Sequence, residues 1–374
     1  MSVQQAKRYA RSLLFALLCN LGFDAYAAEL QVSLVNPPPS GQLIFQIYTN
    51  ADAFGDFRDP VVQQTESVTA DNRYVVADVP SGPIAVLVYY DENGNGRLDK
   101  NFIGIPRERL ALSNGYRPKG PPSFERALIV AAEGQLTTLE LELYQVLGER
   151  GRWGLGVGVI GQSSPYIDSS ESVYQAIPAV TYVGERLQWF GPALRFGIVG
   201  SGRARLAIDA SYRVSAYEED DSPILAGLGD RNGTVMAGLG AQFELGNGFE
   251  LGVNYQHDLL NEFGGGLASA NFRRSFQIGV ARLTPQLTAN WLSSDLANYE
   301  FGVPLAQATA SRPTYLPGSS SSVGIGVSTL FEMTEDWRLL FNLSAERLGS
   351  ELRDSPLVDE DYVIKGFLGA TYTF

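Results

Sequence analysis

Cysteine is almost missing from this chain: Cys19 is the only one among 374 residues, and His257 is the only histidine. One thiol cannot form an internal disulfide, and without a cysteine pair or a second histidine the common zinc ligand sets are absent. No G-x-S-x-G elbow accompanies the lone histidine, so a serine hydrolase lacks both its strained nucleophile and an evident base. His257, in "NYQHDLLNEF", reads instead as a polar residue near a strand end. Carboxylate-only catalysis, as in glycosidases, is left open by these absences. Long apolar runs are missing as well. The run "SLLFALLCNLGF" is interrupted by Asn20 and followed by Asp24, far short of the roughly 20 residues that a membrane helix needs. Basic residues are outnumbered 28 to 41, and a net charge of -13 argues against a nucleic-acid partner.

Residues 1–27 read as a secretory signal peptide. Lys7, Arg8 and Arg11 precede the apolar run, and Ala25 and Ala27 supply an A-x-A cleavage site. Leu18 is too large for the residue before a lipidated cysteine. Removing Lys7, Arg8, Arg11 and Asp24 loses two net positive charges, so -13 becomes -15. The mature chain is therefore expected to have no thiol, no disulfide and no lipid anchor.

Glycine is abundant, with 40 residues, and aromatics reach 11%. Residues 28–147 read as short strands broken by proline and glycine: "ELQVSLV", "GQLIFQIY", "RYVVADV", "PIAVLVYY", "RALIVAA" and "TTLELELY". Leu139, Leu141 and Leu143 alternate with Thr138, Glu140 and Glu142, giving one dry and one wet face. This predicts a small soluble β-sandwich. After "GERGRWG" the segments lengthen. In "RARLAIDASYRVS", Leu206, Ile208 and Tyr212 oppose Arg203, Arg205, Asp209 and Arg213; in "WRLLFNLSAER", Trp337, Leu339, Phe341 and Leu343 oppose Arg338, Asn342 and Glu346.

A soluble sandwich has the same period of two, so segment length and the terminus decide. Segments of about ten residues match a tilted transmembrane strand. Only helices and closed barrels satisfy every backbone group in lipid. The fold class expected is all-β, a small sandwich followed by an antiparallel transmembrane barrel of about 12 strands over 148–374. The stretches "LQWFGPALRFGIVG" and "WLSSDLANYEFGV" do not divide cleanly into strands. The last strand, "YVIKGFLGATYTF", sets Tyr362, Ile364, Leu368 and Tyr372 against Lys365, Thr371 and Thr373 and ends on Phe374. It resembles the C-terminal signal by which the assembly machinery recognises outer-membrane barrels, which marks Tyr372 and Phe374 as candidate assembly residues.

One motif invites metal chemistry. "DENGNGRLD" places side-chain oxygens of Asp91, Asn93, Asn95 and Asp99 at the first, third, fifth and ninth places of an EF-hand-like loop, with Gly96 sixth and the Arg97 carbonyl seventh. The twelfth place holds Phe102, where calcium loops want a bidentate glutamate. Unless Glu92 or a neighbouring loop contributes, calcium binding would be weak. A polar turn accounts for the same composition, because Asn, Asp and Gly tolerate left-handed backbone and close turns with their own side chains. No other cofactor is expected: "GLGVGVIG", "GLGDRNG" and "EFGGGLAS" lack the strand-to-helix setting of a nucleotide loop. The acidic "YEEDDSP" and "DSPLVDEDY" runs read as solvated loops, with divalent-cation bridging near lipopolysaccharide as the second reading.

The segment from "DVPSGPIAVLVYYDENGNGRLDKNFIGIP" through "SNGYRPKGPPSFERALIV" resembles the domain of unknown function 2141 family, which implies a transthyretin-like sandwich of unassigned activity. "WGLGVGV", "NYEFGVPLAQA", "PTYLPG" and "SPLVDEDY", in that order, resemble the MltA-interacting protein (MipA/OmpV) family. That resemblance implies a Gram-negative outer-membrane barrel which, in some members, scaffolds peptidoglycan hydrolases and synthases; the sandwich would then be periplasmic. The expected function is a non-enzymatic envelope scaffold whose partners are outer-membrane lipid, the barrel-assembly machinery and such enzymes. The alternative is a small porin, with Arg203, Arg205, Arg213, Arg338 and Lys365 facing a water-filled lumen.

Overall fold

The computed structural model describes residues 28–148, 151–169, 173–201 and 203–374, so the signal peptide expected over 1–27 lies outside the described residues. The first unit is built from β1 (Ala28–Leu34), β2 (Gln42–Tyr48), β3 (Val62–Ser67), β4 (Arg73–Val79), β5 (Gly82–Asp91), β6 (Leu110–Leu112), β7 (Ile129–Ala131) and β8 (Leu136–Leu141). One sheet runs β4-β1-β8; the other runs β3-β2-β5-β6, with β7 also paired to β5. Leu30 and Val32 of the first sheet meet Leu43, Phe45, Val86 and Val88 of the second in a shared core. The opposite face of the second sheet is covered too: Ile44, Leu87 and Tyr89 pack beneath Phe54, Tyr116 and Phe124. Strand β5 is buried on both faces, which is why "PIAVLVYY" is continuously apolar instead of alternating.

"RALIVAA" divides differently from its sequence reading. Phe124–Ala127 is a helical turn, placing Phe124 and Ala127 in the second core, and only Ile129–Ala131 is strand.

The second unit comprises β9 (Arg152–Gln162), β10 (Val173–Pro178), β11 (Thr181–Val183), β12 (Leu187–Phe190), β13 (Ala193–Ser201), β14 (Ala204–Arg213), β15 (Thr234–Gly246), β16 (Phe249–Asp258), β17 (Gly266–Arg274), β18 (Phe276–Ile278), β19 (Ala281–Leu292), β20 (Ser320–Glu332), β21 (Trp337–Leu348) and β22 (Tyr362–Thr373). β10 and β11 both pair with β9, and β17 and β18 both pair with β19, so each couple forms one interrupted strand of a 12-strand antiparallel barrel. The barrel closes where β22 meets β9, from Lys365↔Gln162 to Thr373↔Gly154. Closure leaves no lipid-exposed edge. Among the described residues no helix is long and apolar enough to cross a membrane.

Alternation sorts the side chains as the sequence suggests. Leu206, Ile208, Leu343, Ile364 and Leu368 are exposed on the outer face, while Arg205, Asp209, Arg338 and Thr371 are buried inside. The two ends of the barrel differ. Strands at one end are joined by short turns at 247–248, 279–280 and 333–336; at the other, the chain makes long excursions over 214–233, 293–319 and 349–361. The ambiguous "WLSSDLANYEFGV" contains the end of β19 and a helix, Ser294–Phe301, capped by the Ser293 side chain, which accepts from the Leu296 amide. "LQWFGPALRFGIVG" is a short hairpin, with β12 only four residues long and Gly191 in left-handed backbone at the turn.

Candidate functional site

The long excursions fold into the loop end of the barrel. Tyr166, Tyr217, Leu225, Leu296, Phe301, Leu352 and Leu357 form a buried apolar cluster there. Tyr166 and Tyr217 meet edge to face at 4.8 Å, and the Tyr166 hydroxyl donates to the Glu300 carbonyl at 3.2 Å. Burial and the nearby Glu300 push the Tyr166 phenol well above its ordinary value, so it stays a donor. Helix Ser294–Phe301 is tied to the barrel wall by Arg213, whose guanidinium donates to both Glu300 carboxylate oxygens at 2.7 and 2.8 Å. A cavity of about 240 Å³ lies beneath this cap, lined among others by Gln162, Ser211, Arg213, Gln256, Glu300 and Lys365.

Inward polar groups are paired with one another along the barrel wall. Arg195 donates to both oxygens of Asp209 at 2.6 and 3.0 Å. Lys365 donates to Glu346 at 2.5 Å; Asn290 donates to the same carboxylate at 2.9 Å, as does the Ser322 hydroxyl. Of the five cations expected inside, Arg205, Arg213, Arg338 and Lys365 point inward and each has a partner, while Arg203 is an exposed residue at the turn before β14.

The sandwich covers the turn end. Asp52 accepts from the Gln277 amide at 2.7 Å, and Asp56 pairs with Arg282 at 2.6 Å. Lys119 donates to Asp336 at 2.5 Å and to the Thr373 carbonyl at 3.0 Å. Tyr116 donates to Glu332 at 3.1 Å, and Arg205 donates to the Phe102 carbonyl at 3.2 Å. Phe102 itself enters the mouth over Gly197, where the Cβ of any larger residue would stand 2.3 Å from the ring. These contacts reach β13, β14, β18, β19, β20, the 333–336 turn and β22, so they span the mouth instead of hinging at one side. Sequence reasoning missed them, because each joins residues about 100 to 250 positions apart.

The Asp91–Asp99 loop is drawn tight by its own bonds. Asp91 accepts from the amides of Asn95 at 3.1 Å and Gly96 at 2.8 Å, Asn93 accepts from Asn95, and Asn95 accepts from Arg97. The Asn93 and Asn95 side-chain amides donate to Asp99 at 2.6 and 3.1 Å. Phe102 contributes no oxygen. Glu108, sixteen positions beyond Glu92, does approach: its carboxylate accepts from the amides of Glu92 and Asp99 at 3.2 and 3.0 Å. Burial, with Asp99 and Asp91 close by, pushes its carboxyl up to about 7. No group of three or more His, Cys, Asp or Glu side chains is gathered in metal-holding geometry among the described residues.

At the seam Trp337, Tyr372 and Phe374 form an aromatic run, with ring centroids 5.5 and 5.2 Å apart, and the Phe374 amide donates to the Trp153 carbonyl at 2.9 Å. His257 is exposed on the outer face, 3.4 Å from the Tyr255 hydroxyl, with no ion pair among the described residues. In the acidic loops, the Glu218 amide donates to the Asp221 carboxylate, and Asp361 pairs with Arg353.

Comparison with known proteins follows the same division. Residues 36–139 match the family described as an uncharacterized protein conserved in bacteria (DUF2141), and residues 155–374 match the family described as MltA-interacting protein MipA. Outer membrane protein OmpV of Vibrio cholerae is 28% identical over 253 residues, covering 67% of this chain and 97% of that protein. Outer membrane protein Omp26La of Vibrio anguillarum is 29% identical, covering 60% of this chain and 86% of that one. The MltA-interacting protein of Escherichia coli is 26% identical, covering 60% and 91%. With its closed 12-strand barrel and a family match across more than half its length, this chain is an outer-membrane protein that belongs to the MltA-interacting protein MipA family.

Proposed function

We propose that this protein is a non-conducting envelope scaffold, with its sandwich on the periplasmic side as the docking platform for a peptidoglycan-remodelling enzyme. The observation that carries the reading is the covering of both barrel mouths by the chain itself: loops held by Arg213–Glu300 at one, the sandwich held by Lys119–Asp336 at the other. The pairing of inward Arg195 with Asp209 and Lys365 with Glu346 supports the same reading, because it leaves these cations committed to the wall instead of to a passing solute. Short turns belong on the periplasmic side of outer-membrane barrels and long loops outside, which puts the sandwich where peptidoglycan enzymes work. The name of the Escherichia coli relative supplies the partner class. Tyr372 and Phe374 fit the proposed role as the terminal signal for the assembly machinery.

Planar-bilayer recording of the purified full-length protein, paired with pull-down from envelope extracts, tests this. The expected result is no steady single-channel current together with specific retention of peptidoglycan enzymes. Steady current from the intact protein, without such partners, would favour the porin reading.

A further inference from the structure

Two consecutive arginines at the end of β17 face opposite ways. Arg273 points inward and pairs with Glu250 at 2.5 Å. Arg274 points outward, toward lipid, with no ion pair among the described residues, and its Nε is buried without a hydrogen-bond partner. Its guanidinium is held between two rings, 4.9 Å from the centroid of Phe249 and 4.6 Å from that of Phe276. Phe249 follows the 247–248 turn directly, so this cation stands near the turn-end rim of the barrel. An outward arginine costs about 2–4 kcal/mol at the bilayer midplane and close to nothing at the interface, so this one belongs at headgroup depth.

From Arg274 an apolar groove of about 690 Å³ leads away across the outer wall. The strand registers show how it forms. One row of outward side chains crosses the sheet as Leu287↔Ile325↔Ala345↔Ile364, and the next as Pro285↔Val327↔Leu343↔Gly366. The groove lies between them, and the small Ala345 in its lining leaves it depth. From β17 to β22 it spans four strand spacings, roughly 19 Å, the length scale of an extended acyl chain, and strand tilt carries it from the interface toward the bilayer interior.

We propose that this groove is a binding site for one phospholipid of the periplasmic leaflet, with the phosphate on Arg274 and an acyl chain between the two rows. Guanidinium is the side chain best matched to phosphate, through paired N–H donors. The flanking phenylalanines fix its plane, which lowers the ordering cost of binding. The site is independent of the scaffold reading, since it lies on the outer wall and involves neither mouth.

The test is native mass spectrometry of the full-length protein released from mild detergent, with added dioleoyl phosphatidylethanolamine or dioleoylglycerol as probes. Folding of each variant is checked by heat-modifiable gel mobility. The wild type is expected to retain one phosphatidylethanolamine at least fivefold more than dioleoylglycerol. Arg274→Ala should remove that preference, and Leu287→Trp, which fills the groove and leaves the cation, should reduce retention of both probes. Leu206→Trp, on the outer face of β14, should change neither. Equal retention of the two probes by the wild type, or unchanged retention in both Arg274→Ala and Leu287→Trp, overturns the proposal. Suppression of lipid retention by inorganic phosphate alone, with no effect of Leu287→Trp, also overturns it, because the site would then be an anion contact without a groove.

Discussion

The Lys119 ammonium stands 2.5 Å from the Asp336 carboxylate and also caps the Thr373 carbonyl, so a residue of the sandwich fastens the last strand of the barrel. Lys119 holds the Asp336 carboxyl below its ordinary value. Because the folded value is depressed, this stabilisation is complete above about 3.8 and is lost as pH falls through the lower folded value. Asp336 is half-exposed, so solvent screens the pair and its loss should affect docking more than global stability. Lys119→Glu is expected to increase protease cleavage between the two units, measured in outer-membrane vesicles opened to the protease. Adding Asp336→Lys should restore protection. Equal cleavage in all three proteins would show that the pair does not hold the sandwich in place.

Phe102 and Gly197 give a sharper test of the same interface. Any side chain at Gly197 must displace the Phe102 ring, since even a Cβ falls 2.3 Å from its Cγ. Overpacking of this kind typically costs about 1–3 kcal/mol. Gly197→Val should leave the heat-modifiable barrel intact while lifting the sandwich from the mouth. Loss of a crosslink between cysteines placed at Asp52 and Gln277 reports the displacement. An unchanged crosslink yield would mean that Phe102 has room to move aside.

The barrel was legible because lipid and lumen impose a period of two on every strand. "RARLAIDASYRVS" and "YVIKGFLGATYTF" could be assigned to faces residue by residue, and the structure agrees at Arg205, Asp209, Lys365 and Leu368. The caps were not legible. Helix Ser294–Phe301 is short and stabilised by packing with Tyr166 and Leu352, far away in sequence, instead of by a local pattern. Glu108 escaped notice for the same reason: its approach to the Asp91–Asp99 loop depends on the path of the chain between Asp99 and β6, which no local spacing specifies.

That loop predicts an unusual pH response. A carboxyl raised from 4.5 to about 7 contributes stability that is fully present below about 4.5 and is lost as pH rises through about 7. The urea midpoint of the sandwich in the full-length protein should therefore fall between about pH 5 and about pH 8. Glu108→Gln should flatten this dependence. Because Asp91 and Asp99 are already engaged by the chain's own donors, millimolar calcium is expected to leave the midpoint unchanged, whereas Asp91→Ala should lower it by removing the acceptor for the Asn95 and Gly96 amides. A calcium-dependent rise that disappears in Asp91→Ala would instead establish the loop as a binding site.

The Arg213–Glu300 pair should control the other mouth. Removing one partner of a buried ion pair costs roughly 3–5 kcal/mol, and this pair's partial exposure places it toward the lower end. Glu300→Ala is expected to loosen the loop cap and speed hydrogen exchange over 294–301. Arg213→Ala should do the same from the barrel side. If either variant retains wild-type protection, the apolar cluster around Tyr166 holds the cap without the pair.

The terminal strand carries the remaining prediction. The Phe374 amide bonds to Trp153 and its ring meets Tyr372, so Phe374→Asp keeps the backbone ladder while removing the end of the aromatic run and adding charge near the interface. Reduced amounts in the outer membrane and loss of heat-modifiable mobility are expected. Leu368→Arg, on the exposed outer face, should cost roughly 2–4 kcal/mol if it lies near the midplane. Lys365→Ala is a different kind of change, because it leaves Glu346 without its cation inside the lumen. Its cost should largely disappear in Lys365→Ala combined with Glu346→Gln, which removes the charge while keeping an acceptor for Asn290 and Ser322. Normal assembly of Phe374→Asp would separate the aromatic terminus from insertion and leave strand closure alone as the requirement.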